Sequence, residues 1–104
     1  MAAIEVQDLE DGVLDDLTFA SATGGGDTVV GGTSAGGWQL PVYLVYINGH
    51  GGPQTVTVAG QPAVPIAAGD TAIIRVNGGY GQASRAVTYS GVTSLTVAAF
   101  RDRQ

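Results

Sequence analysis

His50 is the single histidine of the chain and stands in a glycine-rich segment, Asn48-Gly49-His50-Gly51-Gly52-Pro53. Acid–base or metal chemistry at a histidine needs a second polar group aimed at it, and no acid or further histidine lies in this segment. An exposed turn histidine is the expectation. A Ser-His-Asp triad is permitted by composition, but no nucleophile elbow leading from a strand into a helix is expected. Asp8-Leu9-Glu10-Asp11-Gly12 resembles a calcium loop until it is aligned. With Gly12 at the sixth loop position, Gln7, Leu9 and Thr18 fall at the first, third and twelfth, where the loop requires oxygen ligands of other types. Gly49-His50-Gly51 and Gly79-Tyr80-Gly81 begin a phosphate-loop pattern that Gln54 and Ser84 break at the third glycine. Cysteine and lysine are absent, which excludes disulfides, thiolate metal sites and Schiff-base chemistry. The residue types therefore predict no enzymatic activity, no cofactor and no metal.

Aromatic residues are the remaining binding chemistry. Trp38, Tyr43, Tyr46, Tyr80 and Tyr89 could form a sugar-stacking platform, but four of the five fall in predicted strands, where packing is the ordinary role. Tyr80 alone falls in a predicted loop and is the best single candidate for an exposed contact.

The elements that must position these residues read as sheet. The chain has 104 residues, the size of one domain, with 17 glycines and only 12% charged residues. Short β-branched runs divided by glycine clusters predict strands over 17–21, 27–31, 38–47, 54–59, 63–66, 71–76, 85–90 and 94–100. In Gln54–Ala59, Val56 and Val58 oppose Thr55 and Thr57. In Thr71–Val76, Ala72, Ile74 and Val76 oppose Thr71, Ile73 and Arg75. In Ser94–Phe100, Leu95, Val97 and Ala99 oppose Thr96, Ala98 and Phe100. Such alternation marks antiparallel strands with one face on a core. The run from Trp38 to Ile47 is apolar on both faces. Val42 and Leu44 should line one side and Tyr43 and Val45 the other, one set in the core and one at a contact with another subunit. The expected fold is all-β, an antiparallel β-sandwich or small barrel of about seven to eight short strands.

Charge is unevenly placed. Residues 1 to 27 hold seven of the nine acids and no base, while Arg75, Arg85, Arg101 and Arg103 all lie in the last thirty residues. A net charge of −5 argues against nucleic-acid binding, which needs a dense cationic footprint. No apolar run approaches the ~18 residues of a membrane span, and the N-terminal residues lack the basic region of a signal peptide. Residues 1–16 are expected to be an acidic extended arm outside a single domain over 17–104. In that arm Ile4, Val6 and Leu9 would be apolar anchors, and Asp8, Glu10 and Asp11 would meet basic groups of a partner.

The opening Ile4-Glu5-Val6-Gln7-Asp8-Leu9, with Leu14-Asp15-Asp16-Leu17-Thr18-Phe19 and Gly26-Asp27-Thr28-Val29, resembles the start of small head decoration proteins of tailed bacteriophages. So do Leu44-Val45-Tyr46-Ile47-Asn48-Gly49 with Gln54-Thr55-Val56-Thr57-Val58, and Ile66-Ala67-Ala68-Gly69-Asp70-Thr71-Ala72. The closing Val87-Thr88-Tyr89-Ser90 and Val92-Thr93-Ser94-Leu95-Thr96-Val97-Ala98-Ala99-Phe100 continue the likeness over nearly the whole chain.

The resemblance implies a β-sandwich on the outer capsid surface of the virion that cements the major capsid protein. It also implies contact with neighbouring copies of itself, as a homo-oligomer such as a trimer, and no direct contact with nucleic acid or membrane. The expected contact residues are Ile4, Val6, Asp8, Leu9, Glu10, Asp11, Tyr43, Val45 and Tyr80. The alternative from a different class is a carbohydrate- or receptor-binding module of a virion or tail, which would use Trp38 and Tyr80.

Overall fold

The computed structural model describes residues 2–4, 6–9, 17–30, 32–33, 39–40, 42–76 and 84–102. They form an all-β sandwich of two mixed sheets. In chain order the strands are β1 (Ala2–Ile4), β2 (Val6–Leu9), β3 (Ala20–Ser21), β4 (Asp27–Val30), β5 (Gly32–Thr33) and β6 (Gln39–Leu40). There follow β7 (Val42–Asn48), β8 (Gln54–Val58), β9 (Val64–Ile66), β10 (Thr71–Val76), β11 (Ser84–Tyr89) and β12 (Leu95–Asp102). The first sheet has the order β1-β4-β11-β8-β9 and the second β10-β7-β12-β2, with β3 also paired to β12. Among the described residues β5 and β6 pair only with each other.

The core follows from the alternation. β7 sends Val42, Leu44 and Tyr46 inward, β10 sends Ile74 and Val76, and β12 sends Leu95, Val97 and Ala99. Val29, Val56, Val58, Ile66 and Val87 face them from the first sheet. Burial of these branched side chains is the main favourable term, at roughly 1.5–3 kcal/mol for each fully buried one.

Two expectations are corrected. The sheets are not purely antiparallel, because β1 runs parallel to β4 and β2 runs parallel to β12. The same pairings take residues 2–4 and 6–9 out of the proposed arm and into the fold. Ile4 lies beside Val29, Val6 beside Ala99, and both are half-buried against the core. The physical reason is that their apolar side chains find the open edges of two different sheets, whose backbone groups need partners. Glu10 and Asp11 lie outside the described residues. The acids of the N-terminal third are not all solvated either: Asp27 is 2% exposed.

Candidate functional site

The register of the second sheet assembles an outer face that no single strand carries. Tyr43 of β7 stands between Arg75 of β10 and Phe100 of β12. Val45 stands between Ile73 and Ala98, and Ile47 between Thr71 and Thr96. Directly opposed residues in paired strands share a side, so these three rows form one surface. Tyr43 and Phe100 stack with ring centroids 5.3 Å apart and planes 21° from parallel. Val45 is only 8% exposed, whereas Ile47 is 38% and Ile73 64% exposed. Removing Ile73 from water would gain on the order of 1–2 kcal/mol. An apolar face of this kind is adhesive chemistry: non-directional, with one cation, Arg75, at its corner.

Behind this face lies a polar strap between the sheets. Tyr46 of the second sheet and Tyr89 of the first meet edge to face, with centroids 5.8 Å apart at 68°. Their hydroxyl oxygens are 2.9 Å apart, and Tyr89 donates to Asp27 Oδ2 at 2.7 Å. The Thr23 amide donates to the same oxygen at 3.2 Å. Tyr89 spends its one hydrogen on Asp27, so Tyr46 is the donor between the two phenols. Burial holds both tyrosines well above the ordinary range. For Tyr89, the hydrogen bonds to Tyr46 and Asp27 add to that rise. Phenols held protonated in this way are hydrogen-bond donors and not bases. A cavity of about 150 Å³ lies nearby, lined in part by Ile4, Gln7, Thr18, Ser21, Asp27 and Ala98. Gln7 closes one side of it, donating to the Thr18 carbonyl at 2.9 Å and accepting from the Thr18 amide at 3.0 Å.

A second polar cluster ties the turns at one end of the sandwich. Asn48 Nδ2 donates to the carbonyls of Gly52 at 3.0 Å and Ile66 at 2.9 Å, while Asn48 Oδ1 accepts from the His50 amide at 3.0 Å and Gln54 Nε2 at 2.9 Å. Gln54 carries the link on to Thr93, donating to its carbonyl at 2.9 Å and accepting from its amide at 3.0 Å. The His50 side chain belongs to this exposed turn. Among the described residues no group of three histidines or acids stands close enough to hold a metal.

The expected contact residues therefore separate. Tyr43 and Val45 share the outer face. Ile4 and Val6 pack against the core. Asp8 and Leu9 are paired in β2, opposite Arg101 and Asp102. Glu10, Asp11 and Tyr80 lie outside the described residues, as does Trp38 of the carbohydrate reading. Residue-level reading missed that Ile47, Ile73 and Phe100 complete the face, although Ile73 and Phe100 stood on the solvent side of their own alternation. It also passed over the spelling Gly32-Thr33-Ser34-Ala35-Gly36, which matches Gly-x-Ser-x-Gly. That pentapeptide starts in β5, whose partner is β6, whereas an elbow leads from a strand into a helix. Ser34 itself lies outside the described residues.

No protein-family model matches the chain, and neither a curated protein nor a solved structure is detectably similar to it.

Proposed function

We propose that this chain is a bacteriophage capsid decoration protein, an adhesive domain that binds the outer surface of the head and stabilises the lattice of the major capsid protein. The observation that carries this reading is the outer face of the second sheet, where Tyr43, Val45 and Ile47 are flanked by Phe100 and by an Ile73 that is 64% exposed. A domain with an apolar face and a low charge density is suited to adhesion. Each docked face supplies a modest free energy, and many copies on one lattice multiply its effect. Attachment proceeds without chemistry at His50 or Asp27, and it brings the domain against capsid subunits and neighbouring copies of itself. No contact with nucleic acid or membrane is part of this mechanism.

The test is co-sedimentation with undecorated phage heads assembled from the major capsid protein of the same phage. Ile47→Asp places a charge on the outer face, away from the core, and should abolish co-sedimentation while leaving the melting curve of the isolated domain nearly unchanged. Leu44→Ala, on the opposite side of the same strand, should cost about 2–5 kcal/mol of stability. Undiminished head binding by a folded Ile47→Asp variant would reject this face as the attachment surface. Failure of the wild-type protein to bind heads would reject the function.

A further inference from the structure

β10 is an end strand of the second sheet among the described residues. The Asn48 amide donates to the Asp70 carbonyl at 3.0 Å, in line with the ladder that pairs Thr71 with Ile47 through to Val76 with Val42. Antiparallel bonding alternates along a strand. Residues 72, 74 and 76 therefore direct their backbone groups at β7, and Thr71, Ile73 and Arg75 direct theirs to the open side. Gln61 confirms the direction, because its Nε2 reaches the Arg75 carbonyl at 2.9 Å from the turn after β8. That contact caps one end of the edge. The amides and carbonyls of Thr71 and Ile73 occupy the rest of it.

Exposed edges are usually blunted by proline, lysine, bulges or short length. β9, an end strand of the first sheet, has Pro65 at its middle. β10 has six consecutive paired residues, neither proline nor lysine, and the most exposed large apolar side chain described, Ile73. It is built like a strand that expects a neighbour.

We propose that two copies of the chain pair antiparallel through their β10 edges about a two-fold axis passing between their Ala72 residues. Thr71 of each copy then faces Ile73 of the other, and the two sites exchange four backbone hydrogen bonds. A one-residue slip is forbidden, since opposed residues must share a face of the joined sheet. Centring the axis on Ile73 would draw in the Arg75 carbonyl, which Gln61 already uses. Centring it on Ala72 keeps that bond. The axis is normal to the sheet, so both outer faces look the same way and Ile73 of each copy extends the apolar surface of its partner. This pairing stands whether or not that surface binds a capsid.

Sedimentation velocity on the protein alone, over a range of concentrations, tests it. The wild type should form a dimer. Ile73→Pro, which removes one outward donor, and Ile73→Lys, which places a charge at the edge, should each raise the dissociation constant at least about tenfold with unchanged circular dichroism. The cysteine-free chain allows a direct reporter. Under mild oxidation Ala72→Cys should give a covalent dimer, because residues at a narrow antiparallel pair lie within disulfide reach. Thr88→Cys, exposed on β11, should not. A wild type that stays monomeric at every concentration, or assembles only as a trimer, overturns the proposal. So does an Ala72→Cys protein that fails to cross-link, which decides the matter even if the Ile73 variants do not fold.

Discussion

Tyr46 and Tyr89 come from different sheets and meet hydroxyl to hydroxyl at 2.9 Å, with Tyr89 passing its hydrogen to Asp27 on β4. The consequence is an order of importance within the strap. Tyr89 joins the other two members, so losing its hydroxyl strands both. Tyr89→Phe leaves a buried carboxylate short of a bond and should cost about 1.5–3 kcal/mol, whereas Tyr46→Phe removes one neutral bond and should cost about 0.5–1.5 kcal/mol. Urea unfolding of the two variants measures the difference. Equal losses, or a larger one at Tyr46, would mean that the strap does not run through Tyr89.

The same strap sets the alkaline limit of stability. Both phenols are held above the ordinary tyrosine value near 10, so the unfolded chain releases these protons first as pH rises. Unfolding then involves proton loss, and stability falls with pH. The contribution is complete below about pH 10 and is lost progressively above it, by up to ~1.4 kcal/mol per pH unit for each tyrosine. Unfolding free energies at pH 8 and pH 11 should differ less in the Tyr46→Phe/Tyr89→Phe double variant than in the wild type. An identical pH dependence would remove these two residues from the account.

Asn48 must both donate and accept, which makes its isosteric substitution informative. Asn48→Asp keeps the shape but turns a carboxylate oxygen toward the carbonyls of Gly52 and Ile66, 3.0 and 2.9 Å from the present nitrogen. It should be at least as costly as Asn48→Ala, for which ~3 kcal/mol is expected from the unpaired partners left behind. A melting temperature for Asn48→Asp near that of the wild type would show that the cluster tolerates losing its donor.

Glycine is required at Gly26 for two reasons and at Gly69 for one. Both have positive φ, +106° and +78°, but a Cβ on Gly26 would lie 2.8 Å from the Val87 carbonyl oxygen while one on Gly69 would meet nothing within 4 Å. Gly69→Ala should cost about 1–2 kcal/mol, the left-handed penalty alone. Gly26→Ala should cost distinctly more, since β4 and β11 must separate to admit the methyl group. Thermal unfolding of the pair settles the ranking.

The strands were legible in the sequence where the pattern is local. The run predicted over 71–76 is β10 residue for residue, 54–59 runs one residue past β8, and 85–90 is β11 shifted by one residue at both ends. Val42 and Leu44 face the core and Tyr43 the outside, as alternation requires. The N-terminal strands were not legible. Ile4 and Val6 do alternate with Glu5, but β1 and β2 each span only three or four residues and belong to different sheets, with parallel partners far along the chain. Asp27 was hidden for a related reason. An acid among acids reads as solvated until pairing places Tyr89 beside it. The outer apolar face was half visible: Tyr43 and Val45 lie on one strand, but Ile73 and Phe100 join them only through register.

Because β12 pairs with β7, β2 and β3, the last of the described strands in chain order is the common partner of three others in the second sheet. A nascent chain that has emerged only through β11 can assemble much of the first sheet, from β4, β11, β8 and β9, yet β2 and β3 have nothing to lie against. β2 and β3 must wait for a strand more than seventy residues further along, so closure of the sandwich is a long-range event, and folding should be slow for a domain of this size. Until then the inward faces of β7 and β10 stay uncovered on one side, with the open edge of β10 beside them. Crowded translation of many copies would favour association before closure, and the timing of release would set how much of the product reaches the sandwich.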